Sequence, residues 1–120
     1  MVNDIQNKII IVGGGLIGEL LHMMLKSKGF EINHFTKDSS VKNRTFALSP
    51  SSVDWLRSLG LPSIFFESLS EIKSMKIFDS SIKNSVTLNA DDAQKPALAY
   101  MVNEKDFDEA IKNFELQIRK

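Results

Sequence analysis

A ten-residue run near the start of the chain joins an apolar segment to spaced glycines. It is Ile9-Ile10-Ile11-Val12-Gly13-Gly14-Gly15-Leu16-Ile17-Gly18. The uniformly apolar, β-branched start favours a parallel strand buried on both faces. A Gly-x-Gly-x-x-Gly spacing directly after such a strand is typical of a turn that places a nucleotide pyrophosphate on a helix N-terminus. The run therefore predicts a dinucleotide-binding strand, turn and helix.

The three glycines of the motif have separate expected roles. Gly13 allows a tight turn, Gly15 lets a phosphate approach the backbone, and Gly18 lets the helix pack closely on the strand. Unpaired N–H groups of the first helical turn, including those of Leu16 and Ile17, are expected to face the anion. The alternative is a strand-turn-helix that needs its glycines only for packing.

Length and composition exclude several classes of function. A chain of 120 residues is one domain or part of one. The formal charge is zero and no basic face stands out, which argues against nucleic acid as a partner. There is no cysteine, so disulfides and thiolate metal sites are excluded. With no apolar run of membrane-spanning length and no basic signal-peptide start, a cytoplasmic location is expected.

Hydrophobic periodicity predicts a βαβ unit followed by a mixed region. The first helix should end at Gly29, with Lys26 in its last turn, and a second strand should cover residues 30–35. Its apolar stripe is predicted at Leu16, Ile17, Leu20, Leu21, Met24 and Leu25.

The later elements are predicted from capping and alternation. Residues 37–43 should form a loop around Asp38-Ser39-Ser40, and residues 44–48 a short extended segment. Ser49 should cap a helix that has Pro50 at its first position and Gly60 at its end. A short helix or apolar loop follows at 61–69, then a β-hairpin of 74–79 with 85–89, and an apolar stretch at 97–102. Asn103 should cap a last helix, whose stripe is Phe107, Ala110, Ile111, Phe114 and Ile118.

The residue expected to bind a ribose hydroxyl is unusual. A dinucleotide site normally has an acidic residue at the end of the second strand, and that place falls at Thr36. Thr36 can offer a neutral hydrogen bond instead, and Asp38 can reach the ribose if the strand runs longer.

Three blocks of this sequence resemble flavin-dependent aromatic-ring monooxygenases, most of all the ubiquinone-biosynthesis hydroxylases. They are residues 13–18, the segment Arg44-Thr45-Phe46-Ala47-Leu48-Ser49-Pro50-Ser51-Ser52, and the segment Ala97-Leu98-Ala99-Tyr100-Met101-Val102-Asn103. The resemblance implies a Rossmann-like α/β FAD-binding domain with an inserted hairpin, of which residues 1–120 are an incomplete N-terminal part.

The resemblance also implies a function. FAD is the expected cofactor, with NAD(P)H and O2 as co-substrates for hydroxylating an aromatic or polyprenylated ring. Gly13, Gly15 and Gly18 would contact the FAD pyrophosphate, and Arg44 would lie along the FAD, where a guanidinium can bind phosphate bidentately. Peripheral contact with the inner membrane, or a multi-enzyme complex, is compatible with such substrates.

The chain departs from the family pattern in three ways. Thr36 replaces the acidic residue, His22 stands where a small residue is usual, and the later Gly-Asp and Asp-Gly segments do not occur. A fragment of a hydroxylase therefore competes with a small non-catalytic dinucleotide-binding module and with an inactive truncated product. An isolated fragment should be marginally stable, because its sheet edge and apolar helix faces would lack partners.

Other polar and aromatic residues have ordinary structural explanations. We interpret His22 and His34 as packing or surface histidines and Asp91-Asp92 as solvated carboxylates. Trp55 and Tyr100 suit the core or its rim. No catalytic residue and no metal site is predicted.

Overall fold

The chain has a mixed α/β fold in the part that the computed structural model describes, residues 7–37 and 42–118. In chain order the elements are β1 (Lys8–Val12), α1 (Leu16–Ser27), β2 (Glu31–Phe35), β3 (Thr45–Leu48), α2 (Pro50–Leu59), α3 (Ser63–Glu67), β4 (Ser70–Ile72), β5 (Ser74–Phe78), β6 (Ser85–Asn89), a 3-10 helix (Asp91–Ala93), β7 (Ala99–Asn103) and α4 (Glu104–Ile118). The strands form a parallel β1-β2 sheet, an antiparallel sheet in the order β3-β7-β4, and an antiparallel β5-β6 pair.

The predicted βαβ unit is confirmed. Strands β1 and β2 pair in parallel, with Ile11 opposite His34, and α1 connects them. Lys26 lies in the last turn of α1, and Gly29 follows the helix at φ +92°, a backbone conformation that favours glycine. Local sequence signals therefore mark the C-terminal end of this helix.

The prediction that β1 is buried on both faces is wrong. Ile11 is 7% exposed, but Ile10 and Val12 are 66% and 82% exposed. Side chains alternate between the faces of a strand, and α1 lies on one face only. Among the described residues no layer buries the other face.

The predicted stripe of α1 is also partly wrong. Ile17 is 83% exposed and Leu21 is 42% exposed, whereas Met23, which is outside the stripe, is 1% exposed. Met23 belongs to a cluster that includes Phe107 and Ile111 of α4. The position of α4 thus selects the buried face of α1, and this cannot be inferred from α1 alone.

The second part of the chain contains most of the core. As predicted, Ser49 caps α2 by accepting the N–H of Ser52 at 3.2 Å, and Gly60 ends it at φ +89°. Asn103 Oδ1 accepts the N–H of Lys105 at 2.9 Å at the start of α4, as expected of a cap. The central cluster consists of Met23, Leu56, Leu61, Phe65, Val102, Phe107, Ala110 and Ile111.

The predicted hairpin is confirmed, and one further strand accompanies it. Strands β5 and β6 pair antiparallel, with Ser74 opposite Asn89. The sequence does not predict strand β4. Its three residues are too few to show a strand pattern, and they are extended because they pair with β7. The turn predicted at Asp38-Ser39-Ser40 and the side chain of Ile118 lie outside the described residues.

Candidate functional site

The candidate site is the glycine turn between β1 and α1. Gly13 adopts φ +124°, which strongly favours glycine, and its N–H donates to the carbonyl of Phe35 at 2.9 Å. This bond closes the turn against the end of β2. The turn therefore lies at the carboxyl ends of both parallel strands, where open α/β sheets bind ligands.

Gly18 is required by packing inside the protein. A Cβ at Gly18 would lie 2.8 Å from the carbonyl oxygen of Gly13, which is a backbone atom and cannot easily move away. With glycine at this position, α1 approaches the turn more closely than it could with any other residue type there. This agrees with the role predicted for the third glycine.

Gly15 differs from the other two motif glycines because the chain itself does not require it. It precedes α1 with φ −78° and ψ 176°, an extended conformation open to any residue, and a Cβ there would meet none of the described residues within 4 Å. Within residues 7–37 and 42–118, no side chain caps the helix at this position. The first-turn N–H groups, including those of Leu16 and Ile17, therefore stand beside open space and can bind an anion.

A pair of histidines supports the turn from the covered side of the sheet. His34 Nε2 hydrogen-bonds the carbonyl of Gly13, and His34 Nδ1 lies 3.0 Å from His22 Nδ1 on α1. From sequence alone, both histidines are interpreted as packing or surface residues, without this contact to the turn. The available signal was that alternation along β2 puts His34 on the face that α1 covers.

Electrostatics at the first turn of α1 involve Glu19. Burial, together with the nearby carboxyl of Asp108 on α4, raises the pKa of Glu19. Asp108 is 5% exposed and pairs with Lys112 at 2.8 Å. Burial and Asp108 thus both disfavour the ionised form of Glu19 in the first turn of α1.

The predicted ribose-binding residue has a suitable location. Thr36 is exposed and directly follows β2, one residue after the carbonyl that accepts the Gly13 N–H. Its side chain therefore emerges at the same end of the sheet as the glycine turn. Asp38, the other candidate, lies outside the described residues.

Arg44 is paired with a carboxylate. Its Nε and a terminal guanidinium nitrogen donate to the two carboxylate oxygens of Glu104 at 2.8 and 3.1 Å. Glu104 is 7% exposed, and its N–H donates to the carbonyl of Arg44 at 2.8 Å. The hydrogen bonds from Arg44 lower the pKa of Glu104. The arginine thus joins the segment before β3 to the start of α4, and its role toward FAD stays a prediction.

An apolar cavity of about 310 Å³ lies beside the first turn of α1. Four elements surround it through Leu16, Ile17, Leu20, Phe46, Leu48, Trp55, Leu56 and Phe107. Trp55 is 46% exposed and forms part of the rim of this cavity. The sequence predicts a place for it in the core or at its rim, and the structure has it at the rim. The lining suits an apolar or aromatic group and excludes a charged one.

The described residues contain neither a metal-holding cluster nor a helix suited to crossing a membrane. Residues 7–37 and 42–118 contain no group of three or more histidine or acidic side chains arranged to hold a metal ion. In the same part of the chain, none of the helices has the length and apolar character needed to cross a membrane.

No protein-family model matches the chain, and no curated protein matches it. Several solved structures do match. One is 2-methyl-3-hydroxypyridine-5-carboxylic acid oxygenase, with a TM-score of 0.71, 14% identity, and coverage of 93% of this chain and 30% of that one. Another is the flavin-dependent monooxygenase PieE in complex with FAD and substrate, with a TM-score of 0.69, 12% identity, and coverage of 92% and 22%.

A third match is HpxO of Klebsiella pneumoniae, complexed with FAD and uric acid. Its TM-score is 0.64 at 15% identity, over 89% of this chain and 28% of that one. At these identities the likeness establishes the fold alone, which this chain shares with part of each of these three proteins. The chain spans 22% to 30% of the length of these three proteins.

Proposed function

We propose that this chain is the FAD-binding N-terminal portion of a flavin-dependent monooxygenase, with a Rossmann-like βαβ unit as its pyrophosphate site. The observation that carries the proposal is Gly15. Neither its backbone angles nor its surroundings among the described residues require a glycine, which supports a role for the missing side chain in leaving room for a ligand. A phosphate that approaches the uncapped N-terminus of α1 is the group that would need this space.

The described residues suggest how FAD would be held. Its pyrophosphate would contact the N–H groups at Gly15, Leu16 and Ile17, and Thr36 would hydrogen-bond a ribose hydroxyl. When bound, FAD supplies the redox chemistry that activates O2 for insertion into an electron-rich ring, with NAD(P)H as reductant. Arg44 would lie along the cofactor only if a phosphate shares or replaces its bonds to Glu104.

The experiment is a fluorescence titration of the chain with FAD, compared with Gly15→Ala. A methyl group at Gly15 fills the space a phosphate needs, so we expect affinity to fall at least tenfold. The loss of stability should stay below about 1 kcal/mol, because the backbone angles suit alanine and only the helix cap is weakened.

Gly29→Ala is the matched control. Alanine at φ +92° is strained, although its Cβ would contact none of the described residues, so the stability should fall by about 1 kcal/mol. FAD affinity should stay unchanged, because Gly29 lies at the other end of α1. Wild-type affinity in Gly15→Ala, or no FAD binding by the parent chain, would contradict the proposal. A preference for NAD(P)H over FAD would support a small dinucleotide-binding module instead.

We also propose that the ring hydroxylated is a ubiquinone precursor, which would bring the enzyme to the inner membrane surface or into a multi-enzyme complex. The support is the likeness of the Arg44–Ser52 and Ala97–Asn103 blocks to the ubiquinone-biosynthesis hydroxylases. Cells in which the gene is disrupted should accumulate a polyprenylated ring that lacks one hydroxyl, as measured by mass spectrometry. Normal quinone levels would exclude this substrate and leave FAD binding untouched.

A further inference from the structure

We infer that His34 is a positioning residue that fixes the Gly13–Gly14 peptide plane for anion binding. The inference rests on the proposed function, because it assigns a supporting residue to the same pyrophosphate site. It starts from two contacts of one imidazole: Nε2 with the Gly13 carbonyl and Nδ1 with His22.

The hydrogen-bonding roles follow from the acceptor. A carbonyl oxygen only accepts, so Nε2 of His34 must carry the hydrogen. In the neutral ring Nδ1 is then an acceptor, and His22 Nδ1–H, at 3.0 Å, is its donor. His22 in this way holds His34 in the tautomer that binds the turn, and both rings lie part-buried between α1 and β2.

The direction of the Gly13 carbonyl determines the direction of the Gly14 N–H. The peptide group is planar and trans, so the Gly14 N–H points opposite to the Gly13 carbonyl. His34 draws that carbonyl toward the covered side of the sheet. The Gly14 N–H is thereby turned to the open side of the loop, where it can add to the N–H groups of the α1 N-terminus.

Two adjacent glycines make such a constraint necessary. A peptide between two residues that lack Cβ atoms can rotate at low cost, and this would reverse the Gly14 N–H. Gly18 limits the room around the Gly13 oxygen without supplying a hydrogen bond. The His34 ring supplies the donor that selects one orientation.

The test uses two amide replacements that keep different halves of the imidazole. Glutamine places its amide near the position of Nε2, and asparagine places its amide near Nδ1. His34→Gln should therefore keep the bond to Gly13 and bind FAD within about threefold of the parent chain. His34→Asn loses that bond, and its FAD affinity should fall at least tenfold. Equal affinity of the two variants would overturn the inference.

A readout without FAD separates this inference from the proposed function. Amide hydrogen exchange of Gly14 in the free chain should change in His34→Asn and return toward the parent value in His34→Gln. If the parent chain binds no FAD while this exchange pattern appears, the proposed function fails and the positioning of the loop stands. An exchange rate at Gly14 that neither variant alters would overturn the positioning role directly, whatever FAD does.

Discussion

The βαβ unit and the rest of the chain differ sharply in how well they are buried. The βαβ unit, residues 8–35, contributes only Ile11 and Met23 to the buried apolar residues of the described chain, and the region from β3 to α4 contributes all the others. Yet the candidate site lies in the βαβ unit. Parallel strands need cover on both faces, and here one face carries exposed Ile10, Val12 and Phe35. The site is thus built on the half of the molecule whose stability depends most on its neighbours.

The two regions are joined mainly between α1 and α4. Met23 enters the core cluster beside Phe107 and Ile111, and Lys26 pairs with Glu115 at 3.7 Å. Only the first of these contacts excludes water, so it should dominate the energy of the join. We therefore expect a substitution at the contact between α1 and α4 to destabilise the glycine turn more than the core of the other region.

The largest effect is expected from Met23→Ala. Removing a fully buried methionine side chain costs about 2–5 kcal/mol, a large fraction of the stability of a small domain. Denaturant unfolding should show the loss, and the glycine turn should become more open to amide exchange than the β3-β7-β4 sheet.

Ile10→Ala is the matched control in the same unit. Its side chain is 66% exposed, so the change should stay within about 0.5 kcal/mol. A cost as large as that of Met23→Ala would mean that the outer face of β1 is covered in solution. The comparison between the two regions would then be wrong.

The next largest effect is expected from Gly18→Ala. The added methyl group would press on the Gly13 carbonyl from 2.8 Å and must displace the turn, at a cost of about 1–3 kcal/mol. FAD affinity should fall as well, because the turn carries the site. Titration and thermal unfolding measure the two losses.

Gly60→Ala tests the same kind of change in the other region. It combines φ +89° with a Phe114 ring carbon at 3.3 Å from the new Cβ, so stability should fall here too. Its effect on FAD affinity should be absent. A parallel fall in affinity would show that general instability, rather than the turn, controls binding.

The strand, turn and helix that form the candidate site were more predictable from the sequence than the surfaces around them. Local sequence patterns predict strand β1, the glycine turn after it and the end of α1 near Gly29. The structure confirms all three at the predicted residues. The buried face of α1 depends on α4, and the bond between Arg44 and Glu104 spans 60 positions, so neither leaves a local pattern. The contact of His34 with the Gly13 carbonyl depends on the register of β2 against β1, which alternation suggests but does not determine.

A smaller, pH-dependent effect is expected at the join between β3 and α4. The pKa of Glu104 is lowered in the folded chain, chiefly by its hydrogen bonds from Arg44. A lowered pKa contributes stability above the ordinary range of a glutamate, near 4.5, and this contribution is lost as pH falls through the folded value. Glu104→Gln should therefore lower Tm most at neutral pH and least in acid. A pH-independent difference for Glu104→Gln would contradict the assignment.

The smallest effect is expected from Glu19→Gln, and it has the opposite sign. Glu19 contacts Asp108 where α1 packs on α4. Burial is the main cause that raises the pKa of Glu19, and the carboxyl group of Asp108 is the second. A raised pKa in a carboxyl group means that folding favours its neutral form, so the ionised side chain opposes folding once pH exceeds the ordinary value of 4.5. Glutamine removes that ionisation, and Tm should rise slightly at pH 7 to 8. The gain should disappear as pH falls below the glutamate range, where the parent side chain is already neutral. A gain that persists in acid would instead indicate better packing of the amide, and the join would then contain no electrostatic strain.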